Sequence, residues 1–227
     1  MYLGLDIGSS SSKAVLLGED GGILAAQVVN LGTGTRGPGQ VLEAAYAQAG
    51  RGPEAVAYTV VTGYGRMTYQ GADRQITEIS CHAKGVRHLS AEARTIVDVG
   101  GQDTKVIRLD STGGVENFVM NDKCAAGTGR FLELMARTLE LNLDEMARVG
   151  LHWEQELTIS SMCTVFAESE VVSLIADNHS AADIVHGLNQ SVAAKTAALA
   201  SRAGAKGPYM MTGGVARNRG VTEALEA

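Results

Sequence analysis

Short apolar segments alternate with polar, glycine-rich turns along both halves of the chain. Short apolar segments of this kind are typical of strands, and longer amphipathic segments are typical of helices. In the first half we predict strands over 3–7, 14–17, 23–29 and 55–61, and helices over 40–48 and 78–89. In the second half we predict strands over 95–99, 104–109, 115–119 and 209–212, a mostly helical stretch over 127–202, and a helix from about residue 216.

The two halves repeat one local pattern. LGLDIGSSSSKAVLL and IVDVGGQDTKVIRL each contain an apolar strand, an aspartate, a glycine with small neighbours, a polar turn, a lysine and a second apolar strand. Two copies roughly ninety residues apart are too few for a solenoid and favour a duplicated domain. We therefore predict an α/β fold of two domains, residues 1–92 and 93–227.

Each copy is a β-hairpin whose turn is suited to bind an anion. Glycine, serine and threonine present backbone N–H groups and hydroxyls without steric obstruction. The predicted phosphate-binding residues are Gly8, Ser9, Ser10, Ser11, Ser12 and Lys13 in the first turn and Gly100, Gly101, Gln102, Asp103, Thr104 and Lys105 in the second. Asp6 and Asp98 inside the hairpins are predicted to hold a hydrated Mg²⁺, because this ion keeps most of its waters and uses few carboxylates.

A third segment, MMTGGVARN, combines a strand, a Gly-Gly turn and the start of a helix. Gly213 and Gly214 let a flat base or ribose lie against the backbone, and Asn218 follows in the same segment. Alone, each of the three segments is also compatible with an ordinary turn. In this order they resemble the nucleotide-binding signature of the actin-like superfamily, which implies two RNase-H-like domains with ATP in the cleft between them.

Gln102 and Asp103 are the candidates for the catalytic step. One of these side chains is predicted to orient the water that attacks the γ-phosphate, as a glutamine or an acid does in other NTPases. The pattern does not choose between the two, and a solvated turn residue is the alternative for each.

Composition narrows the range of partners. The 227 residues are 45% hydrophobic and 19% charged with a formal net charge of −6, which is typical of a globular protein without the clustered bases that nucleic acid requires. No apolar run approaches the roughly 20 residues of a membrane helix, and the N-terminus lacks the features of a secretory signal. Three cysteines without CxxC spacing are no secreted disulfide framework, so we expect a cytoplasmic protein.

Two of the cysteines precede predicted helices. Cys124 lies in NDKCAAGTGRF and Cys163 in SSMCTVFAE, and a helix N-terminus favours an anionic thiolate. Two thiolates cannot complete a zinc site or an iron–sulfur cluster, which take four ligands, but a two-fold homodimer supplies four. The spacing leaves zinc and iron–sulfur open. Ordinary packing is the alternative for both residues and our prediction for Cys81.

DVGGQDTKVI, NDKCAAGTGRF and SSMCTVFAESEV together resemble the activators of 2-hydroxyacyl-CoA dehydratases and the related benzoyl-CoA reductase ATPase subunits, the BadF/BadG/BcrA/BcrD ATPase family. The resemblance implies an ATPase of anaerobic metabolism that donates one electron to such a dehydratase or a related reductase component, with ferredoxin or flavodoxin as its reductant. It also implies that Cys124 and Cys163 of two copies hold one 4Fe-4S cluster across a homodimer. Family members continue past the position of Ala227 with a further strand and helix.

Two other functions stay open at this point. A small-molecule kinase of the actin-like superfamily would use Asp103 as its catalytic carboxylate, but it has no need of two cysteines before helices. A regulator that only binds nucleotide would show no basal ATPase activity.

Overall fold

Two separate β-sheets organise the chain. The computed structural model describes residues 1–160 and 163–227, and the chain forms two compact units, Met1–Gly85 and Val86–Ala227. The α/β class indicated by the sequence is confirmed, whereas the domain boundary after residue 92 stays a prediction. No helix in the described part of the chain is long and apolar enough to cross a membrane.

The first unit contains a five-stranded sheet with the order β3-β2-β1-β4-β5. Its strands are β1 (Tyr2–Ile7), β2 (Ser12–Leu17), β3 (Ile23–Val29), β4 (Tyr58–Thr62) and β5 (Arg74–Gln75). β1, β2 and β3 pair antiparallel through two hairpins, whereas β4 pairs in parallel with β1 and with β5. Every second residue of β1 is buried, as expected for a strand with one covered face.

Helix α1 (Gly37–Ala49) covers the hairpin strands of this unit, and helix α2 (Glu78–Leu89) follows β5. Val41 and Ala45 of α1 are fully buried in the core that the first three strands also line. Strand β4 begins later than predicted, because Pro53, with its fixed φ, starts a short 3₁₀ turn (Pro53–Ala55) inside the predicted segment.

The second unit contains a four-stranded sheet with the order β8-β7-β6-β9. Its strands are β6 (Thr95–Val99), β7 (Thr104–Leu109), β8 (Val115–Asn121) and β9 (Tyr209–Thr212). β6 pairs antiparallel with β7 and parallel with β9, so the order and directions repeat those of β3-β2-β1-β4. All residues of β6 are buried, which is typical of a central strand covered on both faces. The repeat seen in the sequence is therefore a repeat of topology.

In the described residues, the predicted helical stretch over 127–202 consists of separate helices. Residues 161 and 162 of that stretch are not among the described residues. The helices of this unit are α3 (Gly129–Thr138), α4 (Leu143–Val149), α5 (Thr164–Ala176), α6 (Ala181–Ala203) and α7 (Arg219–Glu226). Their ends follow from local chemistry: Asn142 forms a capping box at α4, Ser180 caps α6, and Gly204 at φ +68° ends α6. Helix α7 starts later than residue 216, because Gly214–Arg217 forms a 3₁₀ turn.

Candidate functional site

The turn between β1 and β2 is a tight hairpin with a charged pair beside it. Gly8 N donates to Ser11 O at 3.0 Å and closes the turn. Asp6 and Lys13 face each other in register, and Lys13 Nζ lies 2.9 Å from Asp6 Oδ2. The Ser10 hydroxyl is buried and has no hydrogen-bond partner among the described residues. This turn therefore keeps an unused polar group, as a ligand site would.

Other residues of the first turn hold the turn in place. Ser12 is fully buried, and its Oγ donates to Leu31 O at 2.8 Å, so this hydroxyl supports the hairpin. Gly8 O accepts from Thr33 N at 2.8 Å, which ties the turn to the segment after β3. Ser9 is half-buried in the turn. A ligand role for Ser9 and Ser12 stays a prediction.

The turn between β6 and β7 repeats this arrangement with stronger pairing. Gly100 N donates to Asp103 O at 2.9 Å, in the position equivalent to the bond that closes the first turn. Lys105 Nζ lies 2.7 Å from Asp103 Oδ1 and 3.4 Å from Asp98 Oδ2. The side chains of Lys105 and Asp98 are only 8% and 10% exposed, so their charges are screened less by water than the half-exposed pair of the first turn.

The two catalytic candidates differ in their surroundings. Asp103 is engaged by the ammonium of Lys105, whereas Gln102 is exposed in the same turn. Thr104, which follows them, is buried. A side chain held by an ion pair is fixed in place, and an exposed amide can turn towards a ligand.

The strand beside each hairpin, β4 or β9, is followed by a glycine in the left-handed region. Gly63 has φ +89° and Gly213 has φ +86°. A Cβ on Gly213 would lie 2.7 Å from Asp98 Oδ1, and a Cβ on Gly63 would collide with Asp6 in the same way. Only glycine allows each turn to approach the aspartate this closely. The Thr-Gly pair at both positions is a sequence signal that comparing the two hairpins alone misses.

Gly214 and Asn218 have different surroundings. A Cβ on Gly214 would meet no protein atom within 4 Å, so the fold itself does not require glycine there. Asn218 is buried, and its side chain accepts a hydrogen bond from Val221 N at 3.3 Å as the cap of α7. Nucleotide contact stays a prediction for both. Capping already accounts for Asn218, whereas the open space at Gly214 is suited to a flat ligand.

The second turn is hydrogen-bonded to the segment that carries Cys124. The first two backbone N–H groups of α3 donate to the carbonyl oxygens of Gly100 and Gly101 at 2.8 Å each. Buried Thr104 donates from Oγ1 to Gly127 O, also at 2.8 Å. These three bonds join the predicted phosphate turn to the residues between β8 and α3, a connection that the sequence does not reveal.

Cys124 and Cys163 are both exposed, free thiols. Cys163 is the N-cap residue of α5, as predicted. Cys124 lies before the start of α3 at Gly129, because Thr128 N and Oγ1 both bond to Ala125 O and close a separate turn. Since the helix-terminus effect fades within one turn, it acts on Cys163 and not on Cys124. Cys81 is partly buried in α2, which is compatible with packing.

A half-buried lysine lies within electrostatic range of both thiols. Lys195 of α6 has its Nζ buried at 5.3 Å from the centroid of the Phe131 ring. Burial lowers the pKa of Lys195, and the negative charges of Cys124 and Cys163 act in the opposite direction. Both predicted ligands are therefore within electrostatic range of the same ammonium.

Comparison with known proteins identifies the family. The BadF/BadG/BcrA/BcrD ATPase family matches residues 3–227, a range that includes both hairpin turns and both exposed thiols. The chain belongs to this family. The membership indicated by the three motifs is confirmed, and so is the expectation of an ATPase.

Similar proteins include two dehydratase activators. The activator of lactoyl-CoA dehydratase from Anaerotignum propionicum is 54% identical over 226 residues, which covers 99% of this family member and 87% of that protein. The solved structure of the activator of the 2-hydroxyisocaproyl-CoA dehydratase from Clostridium difficile with bound ADPNP has a TM-score of 0.95 at 50% identity, over 99% of this chain and 84% of that one.

A sugar kinase structure shares the fold at much lower identity. A ROK family glucokinase from Streptomyces griseus, solved in complex with glucose and AMPPNP, is 15% identical with a TM-score of 0.55, over 99% of this chain and 87% of that one. Together with the two related sheets and the activator structure, this likeness confirms the predicted fold of two RNase-H-like domains.

The residues of this ATPase fit the cofactors predicted from its motifs. In the first unit the Ser10 hydroxyl is unpartnered, and in the second the space at Gly214 is open, as suits a nucleotide ligand in each case. Each unit also has one aspartate beside its turn, Asp6 or Asp98, and a Mg²⁺ ion that keeps most of its waters uses few carboxylates. Two exposed thiols suit one half of the ligand set of a shared 4Fe-4S cluster. Within the described residues, no group of three or more His, Cys, Asp or Glu side chains could hold a metal ion.

Proposed function

We propose that the protein uses ATP to drive single electrons into a 2-hydroxyacyl-CoA dehydratase or a related reductase component. In this proposal two copies share one 4Fe-4S cluster, held by Cys124 and Cys163 of each copy and reduced by ferredoxin or flavodoxin. The observation that carries it is the hydrogen-bonded connection between the second phosphate turn and the Cys124 segment. An ATP-driven electron donor needs such a connection, and a sugar kinase does not.

The homodimer is supported by the surface of α5. This helix starts at the thiol of Cys163 and exposes several apolar side chains, among which Val165 is 64% and Phe166 is 68% exposed. Val172, seven positions after Val165, is exposed on the same face as that valine, and Ile175 is exposed as well. Exposed apolar side chains grouped on one helix are typical of an interaction site. Packing of α5 against its own copy would place Cys163 near the two-fold axis, where a residue meets its symmetry mate.

The two hairpin turns, residues 8–13 and 100–105, would bind the phosphates of ATP or ADP. Asp6 and Asp98 would hold the Mg²⁺ through water, and the Gly-Gly turn would face the nucleoside. Lys105 already pairs with two carboxylates, so it can turn to a phosphate oxygen and still keep one of them. The nucleotide complex of the related activator supports this assignment.

Gln102 is our candidate for orienting the attacking water. Its amide is exposed in the turn, whereas the carboxylate of Asp103 is held by Lys105. A glutamine in this role contributes positioning rather than proton transfer. Asp103 would then keep the Lys105 ammonium aligned with the phosphate.

ATP is useful to an electron donor only if the nucleotide changes a conformation that the cluster senses. For one electron, about 59 mV corresponds to a tenfold change in the equilibrium constant, or roughly 1.4 kcal/mol, so several hundred millivolts require several such steps. The short path starts at Gly100 and Gly101 and passes through the N-terminus of α3 and Gly127 to Cys124. A phosphate that moves the turn also moves this segment.

The proposal is tested by the iron and acid-labile sulfide content of protein purified without oxygen. About four irons and four sulfides per dimer are expected, with loss of both in Cys124→Ser and Cys163→Ser. Cys81→Ser is the matched control, since it changes the remaining cysteine in α2 and should keep the full cluster.

Two outcomes would overturn the proposal. Colourless protein, or zinc in place of iron after anaerobic purification, would show that there is no iron–sulfur cluster. A small-molecule kinase would then be the better-supported function. A cluster that survives in either single variant would show that the cysteine changed is not a ligand.

A further inference from the structure

Lys195 is a half-buried residue whose ammonium nitrogen is shielded from water. Its Nζ is buried and has no hydrogen-bond partner among the described residues, and its nearest aromatic contact is the Phe131 ring at 5.3 Å. A buried ammonium normally requires a partner, because removal from water is costly. The contact with an aromatic face replaces only part of that hydration. Packing alone therefore does not account for an ammonium at this position.

The stem of Lys195 fixes where this charge lies. It packs over Gly127, where an added Cβ would lie 3.4 Å from Lys195 Cβ and 3.5 Å from Lys195 Cδ. Lys195 also lines a cavity of about 30 Å³ with Asn121 and Ala126. These residues flank Cys124, and the Asn121 side-chain amide donates to Cys124 O at 3.0 Å. The ammonium is thus held from behind the Cys124 segment.

The two exposed thiols are the groups that act electrostatically on this ammonium: burial lowers the pKa of Lys195, and Cys124 and Cys163 act in the opposite direction. A cluster bound by four thiolates is anionic, and it gains one more negative charge on reduction. A nearby cation that is shielded from water stabilises the reduced form more than the oxidised form. Each copy of a dimer would contribute one such lysine.

We infer that Lys195 is a positioning residue for electron transfer, whose fixed positive charge raises the reduction potential of the cluster held by Cys124 and Cys163. The inference rests on the proposed function, because it requires the shared cluster. Its role is to keep the resting cluster within reach of a ferredoxin or flavodoxin before ATP acts. The residue binds neither nucleotide nor metal.

The test compares Lys195→Met with Lys195→Arg in the full dimer. Methionine keeps an unbranched apolar stem and removes the charge, whereas arginine keeps the charge. Lys206→Met is the matched control, since Lys206 is exposed and its backbone bonds to Thr95 at the far end of β6 from the phosphate turn. The midpoint potential is measured by equilibration with redox dyes, after the iron content of each variant has been determined.

We expect Lys195→Met to reduce the equilibrium constant for cluster reduction about tenfold, which is a shift of about 59 mV to lower potential for one electron. Lys195→Arg and Lys206→Met should keep the potential of the unchanged protein. Lys195→Met with full iron content and an unchanged potential would overturn the inference and leave the proposed function intact. Unchanged protein without iron would instead refute the cluster itself.

A variant that fails to assemble is also informative. Should Lys195→Met lose its iron, Lys195→Gln separates charge from packing. Loss of iron in both neutral variants, with retention in Lys195→Arg, would support a requirement for the charge. A glutamine variant that holds the cluster at the original potential would show that the stem alone matters and would overturn the inference.

Discussion

Lys105 and Lys13 occupy equivalent places in the two hairpins but differ in burial. Lys105 lies between two carboxylates and is almost fully buried, whereas Lys13 pairs with Asp6 at a half-exposed position. Lys105→Met removes the ammonium beside the buried Asp98 carboxylate, which keeps the hydrogen bond from Thr212 Oγ1 but loses its counter-charge, and we expect a loss of about 3–5 kcal/mol in the free energy of unfolding. Lys13→Met should cost less than about 1 kcal/mol. Urea denaturation measures both, and equal losses would contradict the role of burial.

Alanine substitutions of the neighbouring Gly213 and Gly214 should affect different properties, stability in the first case and ATP binding in the second. Gly213→Ala forces a Cβ into the Asp98 carboxylate at a positive φ, so we expect a loss of at least about 1 kcal/mol of stability. Gly214→Ala meets no protein atom and should leave the unfolding temperature unchanged while weakening ATP binding. Thermal unfolding and calorimetric titration with a non-hydrolysable ATP analogue separate these effects. Normal binding by Gly214→Ala would remove Gly214 from the nucleotide site.

At the residue scale, contacts within a single hairpin could be predicted from the sequence. Asp98 and Lys105 are seven positions apart, and a tight turn between them makes a facing pair almost unavoidable. Lys195 could not be predicted in this way. It lies in the alanine-rich segment VAAKTAALA, and the groups that surround it come from distant parts of the chain. Only the packing of α6 against the Cys124 segment brings them together.

Among the elements, the contact between β7 and the Cys124 segment should transmit the nucleotide signal. Thr104→Val removes the hydrogen bond to Gly127 O and leaves a buried carbonyl without its donor, at a cost of about 1–3 kcal/mol. We expect ATPase activity to persist while the effect of ATP on the cluster's accessibility to an iron chelator is lost.

Thr95→Val is the matched control for this experiment. Thr95 is also buried at an end of a strand in the same sheet, and its Oγ1 donates to a backbone carbonyl, that of Lys206, at 2.7 Å. Because Thr95 Oγ1 also accepts from Lys206 N at 2.9 Å, its stability loss should be at least as large, but the chelator response to ATP should be that of the unchanged protein. Loss of the response in both variants would mean that it depends on stability rather than on this contact.

Asp183 at the N-terminus of α6 should make the free energy of unfolding depend on pH in the acidic range. The backbone N–H of Gln155, the Ser180 hydroxyl and the backbone N–H of Glu154 lower the pKa of Asp183 below its ordinary value. Because the folded pKa is depressed, the carboxylate stabilises the fold above its unfolded pKa of about 3.9 and ceases to do so as pH falls through the folded value. Asp183→Asn should flatten this acid dependence. Unfolding free energies between pH 3 and pH 6 test this, and an unchanged slope would contradict it.

Element types were predictable from the apolar pattern, but several element ends were not. The helical stretch over 127–202 is interrupted where Asn142 and Ser180 cap new helices, and such caps are weak signals within a polar loop. The segment before α3 is a further example. Gly127 at φ +88° and the Thr128 turn hold Cys124 outside the helix, and nothing in the apolar pattern indicates this.

For the whole molecule, the repeated topology was the most predictable feature. Two copies of one hairpin pattern implied two related sheets, and both sheets have the same order of hairpin and crossover strands. The Thr62-Gly63 pair belongs to the same repeat as Thr212-Gly213, but the sequence does not display this clearly, because only Gly213 is followed directly by a second glycine. The structural repeat therefore includes the strand and turn beside each hairpin as well as the hairpin itself.

The exposure of Cys124 and Cys163 has a consequence for the living cell. A chain that offers two thiols and an uncovered apolar helix completes its ligand set only by meeting another chain, so under the proposed function iron supply and protein concentration jointly control assembly. Oxygen that destroys the cluster would then also separate the two copies. The fraction of subunits assembled as dimers would then depend on the absence of oxygen through mass action, without a dedicated oxygen sensor.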